Sequence, residues 1–323
     1  MQGKIKRSAQ VKIYVGVDVS KAWLDIAITP TNTVFRVANN LKGHKALVKE
    51  LSGFDVAAIV VEATGKLHRG VHLFLHERGL AVSVINPYRS RKFADALGEL
   101  AKTDKIDAMV LARYAELVGP EARDPAPKAL AELTELIHAR IAAVAAQTAL
   151  RNRLGAAHSS LLKDELRIQI GSNADHVKRL EQGILALIAS NAQIARRFKI
   201  LTSIPGIGPI AATGLIGLMA ELGSMNAKQV AALTGVAPMN WDSGEMRGRR
   251  AIKGGRPIVR RLLYMAALSA AVRGVNKDLK VLYERLRNRG RAAKIALVAV
   301  MRKLVILANT LIAQDREWIP KPA

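Results

Sequence analysis

The sequence predicts an α/β domain built on a mixed sheet, followed by an all-α remainder. Three observations carry that expectation. Short β-branched runs alternate with helical stretches over the first quarter of the chain. Beyond Lys128 apolar residues recur instead at three- and four-residue intervals over long segments. Between the two lies Asp124-Pro125-Ala126-Pro127, a linker by composition.

The first domain is organised around Lys12 to Thr29. Ile13, Tyr14, Val15 and Val17 form a β-favouring run short enough for one buried strand, and Trp23 to Ile28 form a second. The turn Ser20-Lys21 joins them as an antiparallel hairpin, leaving Asp18 at the end of a central strand. A carboxylate there is costly unless something neutralises it, and a cation is the obvious choice. Thr33 to Ala38 add a third strand, and Gly43 to Leu51 read as a helix with Ala46, Leu47 and Leu51 on one face. The apolar run Val56 to Val61 suits a strand buried on both faces, and it ends at Glu62-Ala63-Thr64-Gly65. Leu67 to Arg78 read as a helix closed by Gly79, and Leu80 to Ile85 as a strand stopped by Asn86-Pro87. Thr103 is a good N-cap for the next helix, with Asp104 in its first turn and Asp107 three residues on, on the same face. That helix stops at Gly119-Pro120. Three strands, helix, strand, helix, strand, helix is the order of a ribonuclease-H-type sheet rather than a doubly wound one.

Lys128 to Arg153 and Ser160 to Lys199 read as long amphipathic helices joined near Gly155. They suit a coiled-coil arm used for assembly, or a bundle packed on its own domain. Ser203 to Gly217 suit a helix-hairpin-helix offering backbone N–H groups to a phosphate, or a tight helix crossing that admits no Cβ. Ala227 to Thr234 are helical, Gly235 to Gly244 a loop, and helices follow at Ile258 to Ala271, Lys277 to Arg287 and Ala292 to Leu311. The expected domains are 1–124, 125–200 and 201–323.

The 323 residues carry 50 Lys and Arg against 26 Asp and Glu, a net charge of +24. Such an excess points to a polyanionic partner, nucleic acid first and an anionic membrane surface second. The surplus is concentrated: from Asn240 to Lys303 seventeen Lys and Arg stand against four Asp and Glu. Aromatic content is only 4%, so contacts to duplex backbone and shape fit better than stacked single strands. There are no cysteines, which excludes disulfides and Cys-zinc sites. The basic N-terminus lacks a signal-peptide core, and no apolar run nears the ~20 residues that span a bilayer. A soluble cytoplasmic protein is the expectation.

Four carboxylates stand out. Asp18 and Glu62 end strands that should be neighbours, and Asp104 and Asp107 begin a helix that packs on the same sheet. Together they would repel unless divalent cations lay among them, and hard oxygen ligands select Mg²⁺ or Mn²⁺. Two such ions suit phosphoryl transfer. Taken singly, Asp104 is an ordinary acid at a helix N-terminus and Asp107 an ordinary surface residue. Ser243 follows Asp242 and precedes Gly244 and a dense run of Arg. By composition it reads as a turn serine, though neighbouring arginines could stabilise a phosphorane-like charge. Tyr264 is a rival nucleophile but lies mid-helix among Leu262, Leu263 and Met265. The seven His show no metal-ligand spacing. Arg247, Arg249, Arg250, Lys253, Arg256, Arg260 and Arg261 surround one Gly-rich loop and suit phosphate contact.

These motifs together resemble the IS110/IS1111-type transposases, the bridge-RNA-guided recombinases. The matching stretches are GVDVSK (Gly16 to Lys21), EATG (Glu62 to Gly65), VINP (Val84 to Pro87), KTDKIDA (Lys102 to Ala108) and SIPGIG (Ser203 to Gly208). Ala237-Pro238, Ser243-Gly244 and RGRRAIKGGRPIVRRLLYMAA (Arg247 to Ala267) complete them. The likeness runs in order through nearly the whole chain. It implies a RuvC-like DEDD domain, a coiled-coil segment and a C-terminal transposase domain. The DEDD set maps onto Asp18, Glu62, Asp104 and Asp107, and the catalytic serine onto Ser243. The resemblance also implies Mg²⁺, a covalent 5′-phosphoserine bond to DNA, and a structured noncoding RNA that pairs with donor and target duplexes. It further implies a tetramer, a dimer of dimers in which carboxylates of one protomer serve the serine of another.

Three rival readings differ in what they predict. A RuvC-like structure-specific nuclease would use water and leave Ser243 idle. A sugar-kinase or actin-type phosphotransferase would hydrolyse ATP without nucleic acid, which the net charge disfavours. A non-catalytic RNA-binding scaffold would tolerate Asp18→Ala.

Overall fold

The computed structural model describes residues 12–99, 101, 103–240, 242–244, 246–248 and 250–320. They fall into two compact units that divide at Pro125 and Ala126.

The first unit begins with three antiparallel strands, β1 (Lys12–Val19), β2 (Trp23–Thr29) and β3 (Thr33–Ala38). There follow α1 (Leu41–Leu51), β4 (Asp55–Glu62), α2 (His68–His76), β5 (Val82–Ile85), α3 (Pro87–Ala96) and α4 (Asp104–Val118). The five strands form one sheet in the order β3-β2-β1-β4-β5, with β4 parallel to β1 and to β5. This is the mixed ribonuclease-H-type sheet that the order of elements predicts. The sequence reading gave α3 no range; Asn86 caps it through its side chain and Pro87 opens it, the usual use of a proline at a helix start.

Strand alternation sorts the residues by face. Ile13, Val15 and Val17 of β1, Leu24 and Ile26 of β2, and Ile59 and Val61 of β4 pack with Leu47, Leu51, Val71 and Leu75 of α1 and α2. Each fully buried aliphatic there contributes about 1.5–3 kcal/mol. The intervening residues take the other face. Val60 packs with Leu111 and Tyr114 of α4, and Ala27 with Ala108 and Ala112. Asp18, Asp25 and Glu62 share the parity of this second face.

Gly16 fixes how close α4 comes. A Cβ at this position would collide with the Ala108 carbonyl and the Ala112 amide. Glycine, with alanines opposite, lets the helix lie directly on the central strand. The first turn of α4, with Asp104 and Asp107, is thereby brought near the end of β1. Thr103 caps that turn by accepting from the Ile106 amide, as predicted.

The second unit opens with α5 (Lys128–Ala156) and α6 (Ser160–Ser190), an antiparallel pair held by Arg140–Glu181 at 2.6 Å and by Asn173 donating to the Ala143 carbonyl at 2.9 Å. The predicted continuous helix to Lys199 breaks instead at Asn191, whose side chain caps α7 (Ala192–Ser203) by accepting from the Ile194 amide. An Asn is as good a cap as a helix interior residue is poor. After α8 (Pro209–Leu218) and α9 (Ala227–Leu233), the stretch expected to be a loop folds as a narrow ribbon. Its strands are β6 (Pro238–Met239), β7 (Asp242–Ser243), β8 (Met246–Arg247) and β9 (Ala251–Ile252), with β6 paired to β9 and β7 to β8. The chain ends in α10 (Pro257–Ala267), which runs into a π-helical turn at Leu268–Val272, then α11 (Lys277–Asn288) and α12 (Ala293–Ala313).

The bases of α5 and α6 join this core. Leu133, Ile137, Ile184 and Ile188 pack in one cluster with residues of α8, α10 and α12. Among the glycines of the Ser203 to Gly217 stretch, Gly206 lies against the Cβ and backbone of Ala270 with no room for a Cβ, and Gly214 and Gly217 lie against the side-chain ends of Leu262 and Ile137. These three positions serve tight helix crossings. Contrary to the sequence expectation, α12 is long and apolar enough to cross a bilayer. Half of it is buried within the unit, where Ala296, Val300, Leu304 and Ala308 are wholly enclosed.

Candidate active site

Sheet register assembles the acidic site. Val17 of β1 lies beside Val61 of β4, so Asp18 and Glu62 follow at adjacent strand ends. Asp18 is half-buried, and its Oδ1 accepts from the Val19 amide at 3.0 Å. Burial, reinforced by the charges of Asp107, Glu62 and Asp104, pushes its carboxyl up from 3.8 to about 6. Asp18 therefore feels the charges of all three other predicted carboxylates. The Ser90 hydroxyl of α3 donates to Glu62 Oε2, and Glu62, Ser90 and Asp107 line one cleft of about 350 Å³ with Tyr88 and Arg91.

The donor set suits a hard divalent cation: all oxygen, all carboxyl, with one made hard to ionise by burial and then by its like-charged neighbours. Asp18, Glu62 and Asp107 would hold it from the sheet and helix, with Asp104 at the rim. As they stand among the described residues, no three such side chains are arranged closely enough to ligate one ion. The carboxylates interact through charge and have not closed into a cage.

Sequence reasoning missed a second aspartate in the opening hairpin. Asp25 lies directly opposite Asp18 across β1 and β2, and Arg36 lies opposite Asp25 across β2 and β3. Directly opposed residues point to the same face, so Arg36, Asp25 and Asp18 form a row. Asp25 is 3% exposed. Arg36 grips it with two bonds of 2.9 Å and donates a further bond of 2.8 Å to Asp104 Oδ2. Both carboxylates hold the guanidinium in its charged form. The signal was present: an Asp inside the apolar run WLDIAIT needs a partner, and TVFRVA offers an Arg at the facing position.

The histidines also hold a pattern that sequence reading passed over. His68, His72 and His76 recur every fourth residue along α2. Two of them serve the fold: His72 Nε2 bonds the Arg123 carbonyl at 2.8 Å, and His76 faces Asp124 at 3.7 Å.

Ser243 lies exposed on β7, next to Gly244, whose φ of 54° turns the ribbon. Among the described residues no side chain hydrogen-bonds its hydroxyl. Asp242 is not its base: it accepts from the Gly248 amide at 3.2 Å and pairs with Arg250 at 3.1 Å, tying the ribbon together. Arg256 binds Glu221 through both terminal nitrogens at 2.7 and 2.9 Å and donates to the Leu218 carbonyl. Arg260 donates to the Gly254 carbonyl at 2.7 Å. These two guanidiniums hold the base of the ribbon, whereas Lys253 and Arg261 are exposed. Arg249 and the side chain of Arg247 lie outside the described residues. Tyr264, though mid-helix among apolar neighbours, is 37% exposed.

Comparison with known proteins places this geometry. A transposase family model, the DEDD type of IS110, matches residues 15–161. A second, for transposases of the IS116/IS110/IS902 family, matches residues 198–284. The chain belongs to the IS110-type transposases. Pilin gene-inverting proteins of Moraxella bovis and Moraxella lacunata are each 27% identical to it over 316 residues, covering 95% of this chain and 98% of theirs. RuvC of T. thermophilus, solved in complex with a Holliday junction substrate, aligns with 35% of this transposase and 99% of its own chain, at 14% identity and a TM-score of 0.26. That likeness is too slight to bear on the fold, which rests on the strand order.

Proposed function

We propose that this transposase is a divalent-metal-dependent DNA recombinase whose nucleophile is Ser243. The observation that carries the reading is the gathering of Glu62, Asp104 and Asp107 around the half-buried Asp18, whose acidity their charges perturb. In it the Ser243 oxygen attacks a DNA phosphorus and the P–O3′ bond breaks. The departing 3′ oxygen takes a proton and leaves as a hydroxyl. The 5′ phosphate stays on the serine. A 3′ hydroxyl of the exchanged strand then attacks that phosphoserine, rejoins the DNA and returns the serine. Bound Mg²⁺ or Mn²⁺ supplies charge stabilisation at the phosphate and activation of the attacking oxygen. Asp18, Glu62, Asp104 and Asp107 bind the ion; the cationic residues around the ribbon position the phosphates.

Under this reading the exposure of Ser243 suits a nucleophile that meets its substrate in an assembled complex. Carboxylates of one protomer act with the serine of another, within a tetramer on donor and target duplexes. A structured noncoding RNA selects both duplexes by base pairing. Residues 1–124 form the DEDD domain, 125–200 the assembly arm and 201–323 the serine domain. The inverting function named for the Moraxella relatives is one outcome of such exchange.

Strand joining between labelled donor and target, with RNA copurified from the expressing cell, tests the reading. The wild type joins strands, and Asp18→Ala and Ser243→Ala do not. A Ser243→Ala protein that still cuts DNA through water would overturn the serine role.

A further inference from the structure

The second unit contains a groove of about 700 Å³ that the proposed chemistry leaves unused. Its floor is apolar, with Val236, Ile252, Ile295 and Val298 and the ring of Tyr264. Arg261, Lys294 and Arg302 line it too, and none of its lining residues is acidic. Pro238, Ala251 and Ile252 in its wall belong to the β6/β9 pair, the base of the ribbon that carries Ser243. Ile295 is 57% exposed, a large apolar side chain left open to water. The volume falls in the range of small-ligand sites.

A ligand that fits must be planar or apolar on one side and polyanionic on the other. An acidic peptide meets the charges but offers its carboxylates on separate flexible side chains. A nucleotide joins both features in one rigid unit: a weakly hydrated base for the floor and phosphates for the rim. Ordinary duplex does not qualify, because its bases are stacked and paired away from such a floor.

We propose that this groove binds an unpaired base of a single nucleic-acid strand, with the flanking phosphates held by Arg261, Lys294 and Arg302. The site anchors a strand near the Ser243 ribbon by seating a base among aliphatic side chains and against the ring of Tyr264. This deepens the recombinase reading and rests on it for the identity of the polymer.

The test is fluorescence anisotropy of the full chain with labelled six-nucleotide oligothymidylate, and with the same backbone carrying abasic sugars, each made as DNA and as RNA. The wild type binds the base-bearing probe about 5- to 150-fold more tightly than the abasic one. Ala299→Trp fills the groove and Ile295→Asn makes its floor polar without changing the charge. Both remove that preference and leave abasic affinity within about twofold, with unchanged melting temperature as the folding control. Arg261→Ala weakens both probes and lowers the salt slope by somewhat less than one. Whichever backbone shows the larger base preference identifies the strand. Equal affinity for base-bearing and abasic probes, or a preference that survives Ala299→Trp, overturns the proposal. So does a change of oligomeric state in Ala299→Trp with the preference intact, which would make the groove an interface between copies. Ser243→Ala keeps the base preference, so failure of the serine chemistry and failure of the groove are separate results.

Discussion

Asp18 and Ser243 are held in opposite ways. Asp18 sits at a fixed register on the central strand, with Asp25 opposite it, Glu62 beside it and α4 pressed onto the sheet at Gly16. Every neighbour that shifts its acidity is a group the fold brings there. Ser243 stands on a two-residue strand at the turn of a ribbon, exposed, with its acidic neighbour Asp242 bonded elsewhere. One region is gathered by sheet register and helix packing, though not closed into a cage, and the other is held by a short local ribbon. The contrast teaches that two candidate site residues of one chain can differ in how much of their geometry long-range packing supplies.

Substitutions can break the comparison. The largest expected effect is on activity: Ser243→Ala and Asp18→Asn each lower strand joining by more than about 10³-fold. Their stabilities should differ, since Ser243→Ala leaves the melting temperature unchanged while Asp18→Asn raises it near pH 7. Calorimetry of both variants checks this. Next, Gly16→Val should destabilise the first unit by about 3 kcal/mol or more, because α4 must lift off the sheet. It should also abolish Mn²⁺ binding measured by titration. Arg36→Ala leaves Asp25 buried without its partner and should cost about 2–3 kcal/mol. Adding Asp25→Asn should recover most of that loss in a double-mutant cycle by urea denaturation.

The smallest effect is a pH dependence. The folded-state pKa of Asp18 is raised, so the folded chain binds its proton more tightly than the unfolded chain between about pH 4 and 6. Without metal, the stability difference between wild type and Asp18→Asn should therefore move against the wild type as pH rises through that window. Solvent screening of a half-exposed group limits the change to about 1 kcal/mol. Excess Mg²⁺ should reverse the sign, because the cation favours the ionised carboxylate. Melting curves at pH 4, 5, 6 and 7 with and without Mg²⁺ read this directly.

Much of the first unit was legible because strand and helix periods differ and each element carries its own punctuation. Thr33 to Ala38 is a strand with those bounds, and Thr103 caps α4 as its side chain suggests. Asp18, Glu62, Asp104 and Asp107 could be gathered from sequence because strand ends and a helix start are positions a pattern reveals. Asp25 was harder, since its significance lies in a cross-strand register that no single segment displays. The ribbon around Ser243 was read as loop because two-residue strands rich in Gly and Arg have no period to detect. The break at Asn191 was hidden by good helical patterning on both sides of one capping residue. The jobs of Arg256 and Arg260 depend on Glu221 and on carbonyls distant in sequence, so composition alone placed them with the phosphate-binding cations.

The most direct test of the central claim is mass spectrometry of the protein after reaction with suicide DNA substrate, Mg²⁺ and its copurified RNA, quenched in denaturant. The account predicts a nucleotide adduct on the peptide containing Ser243, linked through a 5′ phosphate and absent from Asp18→Asn. DNA cleaved to completion with the Ser243 peptide unmodified would contradict it.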